Sequence, residues 1–329
     1  MHTFQTDVLV IGGGGGGAMA AYEASKHGVE VMMVLKGQPQ RCGSTIMAPG
    51  AIAAVGDWRV QGDSRDLHFQ DTIKGGAYLG EQGLVRLMVE EAPDLILELE
   101  RIGALWEREG DGSRYALRTG GGHSFHRCTF QEDRTGREML RALMGTLQKR
   151  FVRIVPDVMV LKLLNTGDRL AGALGLDMQT CQPVLFSAKA IILACGGAGN
   201  LYANTDNPTD VTGDGYALAL EAGTVLMDME FVQFFPLGFC FPRSLKGALA
   251  VIPSYVHLRN SLGRRFMDNY DPERMELSTR DRISRAMFTE ITEGRGGPHG
   301  GVFADLTYHK PGFIARMLPA LYETYRKLG

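Results

Sequence analysis

Six consecutive glycines, residues 12 to 17, separate the apolar run Asp7-Val8-Leu9-Val10-Ile11 from an alanine-rich stretch. Ordering that many glycines costs backbone entropy, a cost best tolerated where the main chain must come very close to something. The flanks indicate what. Residues 7–11 read as a fully buried strand, 18–26 as a helix and 29–35 as a second buried strand, which together make a βαβ unit. Within the run, Gly12, Gly14 and Gly17 fit G-x-G-x-x-G. Gly12 permits the tight turn, Gly14 lets the backbone approach a pyrophosphate, and Gly17 lets the helix pack against the strand. The helix N-terminus then offers free N–H groups to phosphate oxygens.

A nicotinamide dinucleotide would call for an acidic residue at the end of the second strand, to bind a ribose hydroxyl. Val34-Leu35-Lys36 stands there instead. Downstream, Ala194-Cys195-Gly196-Gly197-Ala198-Gly199 follows another buried strand, as though a second glycine turn closes over the same ligand. One long dinucleotide contacted twice suggests FAD.

Bulk properties narrow the partners. With 35 basic and 37 acidic residues the formal charge is -2, which gives no reason to expect nucleic acid. Cys42, Cys128, Cys181, Cys195 and Cys240 are scattered and form no CxxC pair, so neither a disulfide framework nor a metal or iron–sulfur site is indicated. No apolar stretch reaches roughly 18 residues, and the N-terminus lacks the pattern of a signal peptide. The expectation is a soluble, cytoplasmic chain without a transmembrane segment, peripheral to a membrane only through partners.

Further along, "LVRLMVEEAPDLILELERIG" has helical spacing with Pro93 as an interior break. Strand-like runs between 151 and 199 alternate with Gly and Asn-Thr-Gly turns, which suggests a small antiparallel insertion returning to the main sheet at 190–194. A helix pattern covers 214–223. From about Gln233 periodicity weakens until helices near 281–293 and 312–327, so a second domain is expected to begin there. The 329-residue length suits one large or two smaller α/β domains.

The order "VIGGGGGGAMAA", "LKGQPQRCGSTIMAPGAIAAV", "GGGHSFHR", "EDRTGREML", "AIILACGGAGNLYANTDNPTDVTGDGYALALEAG", "DMEFVQFFPLG" and "LSTRDRISRA" resembles the flavoprotein subunit of fumarate reductase and succinate dehydrogenase, and L-aspartate oxidase. The resemblance runs over nearly the whole chain. It implies an α/β fold: a Rossmann-like FAD-binding domain, 1–232, with a parallel sheet and the antiparallel insertion, followed by a partial α+β capping domain, 233–329. In that family a lysine often replaces the ribose-binding acid. Carried over by motif, the resemblance implies that Gly12, Gly14 and Gly17 receive the pyrophosphate of FAD. Lys36, Ser44, Thr45 and Gly50 would line the flavin side, Val158 the adenine side, and Ala194, Gly196 and Asp214 would complete the site. Ser44 stands where covalent members carry the flavin-linking histidine, so FAD is expected to be non-covalent. The family's chemistry moves a hydride between flavin N5 and a bond next to a carboxylate, with an arginine handling the proton; Arg280 matches that arginine, and Asp281 and Glu290 are candidate relay groups by sequence proximity.

Two departures from the pattern bear on substrate and partners. Family members acting on C4 dicarboxylates have "QFHPTG", where this chain has Gln233-Phe234-Phe235-Pro236-Leu237-Gly238, and no Thr-Glu pair follows. Losing an imidazole donor to a buried carboxylate costs on the order of 1–3 kcal/mol. A bulkier or more apolar organic acid is therefore expected, against Phe235, with His257 as a substitute for the missing histidine. The chain also stops before the family's "HYxxGG" segment. The expectation is that a separate chain supplies that half or that the product is truncated, and that electrons leave through an iron–sulfur partner or a diffusible acceptor. Two alternatives stay open at this point: a catalytically incompetent flavin-binding or assembly subunit, and an NAD-linked dehydrogenase.

Overall fold

The computed structural model describes residues 2–167, 169–250 and 252–328. Along the chain come β1 (His2–Ile11), α1 (Gly15–Ser25), β2 (Val31–Val34), α2 (Ser44–Met47), β3 (Ile52–Ala53), α3 (Arg65–Gly75) and α4 (Gln82–Arg101). There follow β4 (Leu117–Arg118), β5 (Cys128–Thr129), α5 (Thr135–Lys149), β6 (Arg153–Val155), β7 (Val158–Thr166), β8 (Arg169–Asp177) and β9 (Pro183–Leu193). The last third holds α6 (Asp214–Glu221), β10 (His257–Arg259), α7 (Arg280–Glu290), β11 (Phe303–Asp305), α8 (Phe313–Met317) and α9 (Pro319–Leu328).

Two compact units form. The first comprises Met1–Ala48, Ile102–Ala104 and Gly136–Phe231; the second comprises Pro49–Arg101, Leu105–Thr135 and Val232–Gly329. Residues 49–101 and 105–135, expected in the first domain, thus group with the C-terminal part; the functional division at 232/233 stays a proposal.

The first unit is built on one six-stranded sheet in the order β6-β2-β1-β9-β8-β7. The β1, β2, β6 and β9 strands run parallel, whereas β8 and β7 are antiparallel additions at one edge. The expected antiparallel pair is therefore present, and it continues the main sheet. The return predicted at 190–194 is the parallel ladder from Val8↔Ala190 to Ile11↔Leu193. The reason is visible in the pattern: β2 is buried at every position, as a strand covered on both faces must be. Leu9, Ile11, Met32, Val34, Val160, Ala173 and Phe186 build its core, with Leu218 of α6 laid onto it.

The second unit holds a small sheet in the order β3-β5-β4, the antiparallel pair β10-β11, and helices. Its core gathers Leu237, Val256, Leu258, Phe266, Met267, Ile283, Ala286 and Leu318. Helix α4 corrects one expectation: it passes through Pro93 without ending. Proline removes one N–H from the ladder, but Val89, Ala92, Pro93, Ile96 and Leu99 form one buried stripe that holds the helix together across the gap. The helix expected over 312–327 is broken in two, with Pro319 opening α9 after α8 ends at Met317.

Phe186 carries the test of the first core. It is fully buried and stacks on Phe4 with ring centroids 5.4 Å apart. Phe186→Ala is expected to lower the unfolding free energy by about 3–5 kcal/mol, measured as a drop in the denaturant midpoint at unchanged slope.

Candidate functional site

In the first unit a cleft of about 350 Å³ opens where β1 hands over to α1. The geometry of that turn fixes its glycines. Gly12 has φ +116°, and a Cβ there would lie 2.1 Å from the Ala194 carbonyl oxygen. A Cβ on Gly17 would lie 2.1 Å from the Gly12 carbonyl oxygen and 3.3 Å from the Ala194 Cβ. The first helical turn is thus pressed onto the ends of β1 and β9, with Gly14 as its N-cap. Its leading N–H groups point away from the helix body, which suits an anion.

The rest of the cleft is set by side chains. Gly15 N donates to Thr45 Oγ1 at 3.0 Å, pinning α2 to the turn. Ser44 Oγ donates to Asn207 Oδ1, and Gly43 N donates to Asp210 Oδ2 at 2.8 Å. Lys36 Nζ donates to the Asp210 carbonyl, to Thr212 Oγ1 at 2.6 Å and to Asp214 Oδ2 at 2.7 Å. Burial works against the Asp214 carboxylate, yet hydrogen bonds from Lys36 and Thr212 hold its pKa below the usual value. Cys42 and Cys195 also line the cleft. Burial pushes both thiols up, Cys195 to about 11, so neither is a thiolate near neutrality.

Of the residues singled out from sequence, Gly12, Gly14, Lys36, Ser44, Thr45, Val158, Ala194, Gly196 and Asp214 surround this one cleft. Gly17 is buried behind it. Gly50 belongs to the second unit, where its carbonyl accepts from Thr135 Oγ1. Sequence reasoning misses the cleft residues Gly43 and Asp210, and Thr212 and Asn207 behind them. Asp210, Thr212 and Asn207 lie just before the "GDG" turn, and only the fold brings them back to Lys36 and Ser44.

Arg280 opens α7 in the second unit, after the N-cap residue Thr279. Its guanidinium lies 5.1 Å from the centre of the Phe235 ring, and its Nη1 donates to Gln233 Oε1. The substitution that removes a histidine therefore adds an aromatic face beneath the arginine. His257 sits in β10 and stacks on Tyr308 with centroids 3.8 Å apart. Burial, then the Arg265 charge, lowers its pKa. The relay suggested by sequence proximity is engaged otherwise. Glu290 is buried and accepts from Asn260, Tyr270 and Arg295, and these bonds, that to Arg295 first, take its pKa to about 2. Asp281 pairs with Arg285 one turn along α7.

The same unit contains a buried ionic cluster that no sequence pattern announces. Arg127 is wholly buried and donates from Nε and Nη2 to the two oxygens of Asp63, at 3.0 and 2.8 Å, and from Nη1 to Asp71 at 2.8 Å. His68 and His123 pack beside it, their rings 5.6 Å apart. His68 is 2% exposed and its Nδ1 has no hydrogen-bond partner. The second unit also holds a cavity of about 370 Å³, lined by Trp58, Arg59, Asp63 and Pro93 among others, that contains none of the expected site residues. Among the described residues no group of three or more His, Cys, Asp or Glu is placed to hold a metal ion, and no helix is long and apolar enough to cross a membrane.

Comparison with known proteins follows the same lines. Residues 7–329 match the family described as FAD binding domain. The chain is 41% identical over 329 residues to a subunit of the fumarate reductase (CoM/CoB) of Methanothermobacter marburgensis, covering 99% of this chain and 60% of that protein. It is 36% identical to the mitochondrial succinate dehydrogenase [ubiquinone] flavoprotein subunit of Oryza sativa subsp. japonica, over 97% of this chain and 52% of that one. Among solved structures, a variant of E. coli quinol fumarate reductase FrdA superposes with TM-score 0.89 at 33% identity, over 98% of this chain and 57% of that chain. The chain spans a little over half the length of these relatives.

The buried His68 makes stability depend on pH. Burial, then the Arg127 charge, pushes its pKa from 6.5 down to about 4. Between those values the unfolded chain takes up a proton that the folded chain refuses, so stability falls as pH falls through that window. The loss is complete below about pH 4 and amounts to about 3 kcal/mol. His68→Phe is expected to flatten the stability profile between pH 6.5 and 4 relative to wild type, measured by denaturant titration at a series of pH values.

Proposed function

Because the chain belongs to the FAD binding domain family, we propose that it serves an FAD-dependent oxidoreductase of the fumarate reductase and succinate dehydrogenase type, acting on an organic acid bulkier or more apolar than fumarate. The observation that carries this reading is the turn at Gly12 and Gly17. Neither position has room for a Cβ, because backbone packs against it, and the tight turn this allows sets a helix N-terminus at the edge of the cleft. These residues fit FAD. Gly12, Gly14 and the first turn of α1 would receive its pyrophosphate, with Lys36 and Asp214 beside it, Ser44 and Thr45 toward the flavin, and Val158 toward the adenine. Lys36 argues against a nicotinamide dinucleotide, because an ammonium already tied to Asp214 offers no carboxylate to a ribose diol.

When bound, FAD supplies the hydride chemistry. The chain's own part is binding and proton handling. Arg280 would give a proton from its guanidinium to the substrate carbon, or take one back, with Gln233 and Phe235 fixing its direction. Arg280 is exposed, so solvent can replace that proton. Phe235 and His257 are the proposed acid-facing side chains. Ser44 offers no imidazole for a covalent link, which supports non-covalent FAD. The Methanothermobacter and Oryza relatives both carry subunit names, which supports a partner chain; the proposed partner is an iron–sulfur electron carrier, and the proposed location is cytoplasmic or peripheral to a membrane.

The purified chain should be yellow, and acid precipitation should release the colour into the supernatant; colour retained in the pellet contradicts the reading of Ser44. Gly17→Ala should abolish flavin uptake in the same assay. In a holoenzyme that reduces a 2-enoic acid from reduced methyl viologen, Arg280→Ala should lower turnover by about 10²–10⁴-fold at unchanged flavin content.

A further inference from the structure

We infer that the triple-glycine loop at 120–122 is the positioning device for Arg280, and that the buried Arg127 cluster exists to hold that loop. The inference rests on the proton-handling role proposed for Arg280, and its geometry lies within the second unit. Gly122 N donates to the Leu277 carbonyl at 3.0 Å. A Cβ on Gly121 would lie 2.9 Å from the Ser278 carbonyl oxygen, and one on Gly122, where φ is +82°, would lie 3.5 Å from Thr279 Cγ2. The loop backbone thus lies flush against 277–279, the three residues immediately before Arg280. Arg274 adds a link from the other side, its Nη1 donating to the Gly122 carbonyl. Ser278 is 1% exposed and donates to Asp271 at 2.5 Å, so the segment that receives the loop is itself fixed.

The loop is anchored at its far end. Ser124 donates from N and Oγ to the two oxygens of Asp71, at 2.8 and 2.6 Å. Asp71 also accepts from Arg127 Nη1, which lies 3.4 Å from His123 Nδ1 as well, while Arg127 Nε and Nη2 donate to Asp63. A fully buried guanidinium is costly to desolvate, and a buried ion pair is a weak source of stability. What such a cluster does supply is a single orientation for the groups attached to it. Here the attached group is the Ser124 end of a glycine loop whose other face sets the start of α7. Glycine is required at 121 because a Cβ there would press on the Ser278 carbonyl just before the helix start, and at 122 because of its positive φ.

The experiment uses the full chain with flavin and reads hydrogen–deuterium exchange together with kinetics. Gly121→Ala should speed amide exchange at 283–286 at least tenfold, with β10 at 257–259 unchanged. Ser124→Ala, an exposed and milder change, should act in the same direction by a few-fold, and Ser124→Thr, which keeps the hydroxyl, should restore protection. With reduced methyl viologen and crotonate, Gly121→Ala should lower kcat at least tenfold with KM and flavin content unchanged. In the Arg280→Lys background it should cost nothing further. Unchanged protection at 283–286 in both Gly121→Ala and Ser124→Ala overturns the coupling, and so does a fully additive double variant. If wild type turns over no acid, the proposed activity fails, while the exchange result still decides whether the loop holds α7.

Discussion

The close approach of three backbone segments at Gly12, Gly17 and Ala194 is the constraint on which the first unit depends. The β1 and β9 strands pair in parallel up to Ile11 and Leu193, and Ala194 N then donates to the Ile11 carbonyl at 2.8 Å. Helix α1 must start at once on top of this junction, which leaves 2.1 Å for a Cβ on either Gly12 or Gly17. One constraint therefore produces a tight strand-to-helix turn, a helix end that presents its N–H groups, and a cleft at the carboxyl ends of the parallel strands. Ligands bind at that place in open α/β sheets because charge complementarity and an open crevice coincide there.

The second unit follows a different logic. Its proposed chemistry rests on an exposed arginine, and its rigidity comes from buried polar groups. Arg127 with Asp63 and Asp71, and Glu290 with Asn260, Tyr270 and Arg295, are satisfied networks in which nearly every donor meets an acceptor. Such networks are costly when incomplete and specific when complete. His68, packed beside Arg127 with an orphaned Nδ1, is one place where that completeness stops, and its lowered pKa makes it one group through which acid destabilises the fold.

How far the residues alone speak follows from range. The βαβ unit is legible because strand, turn and helix are contiguous and each carries its own period. Lys36 stands out as an absence of acid, but its ties to Asp214 and Thr212 span well over a hundred residues and no local pattern encodes them. Pro93 misleads because a proline inside a helix is judged by the bond it removes, whereas here a buried stripe on both sides outweighs that loss. Arg127 closes the stretch "GGGHSFHR", and nothing in that motif says that an arginine there is wholly buried. Glu290 looks available to Arg280 because both lie on α7, yet its oxygens are already occupied on another side.

The measurement that tests the central claim most directly is a titration of the flavin-free chain with FAD and, separately, with NAD, followed by quenching of flavin fluorescence and by calorimetry. The account predicts saturable binding of FAD at one molecule per chain, with no binding of NAD and no displacement of FAD by it. Binding of NAD with no uptake of FAD would contradict the assignment of the glycine cleft and of Lys36 within it.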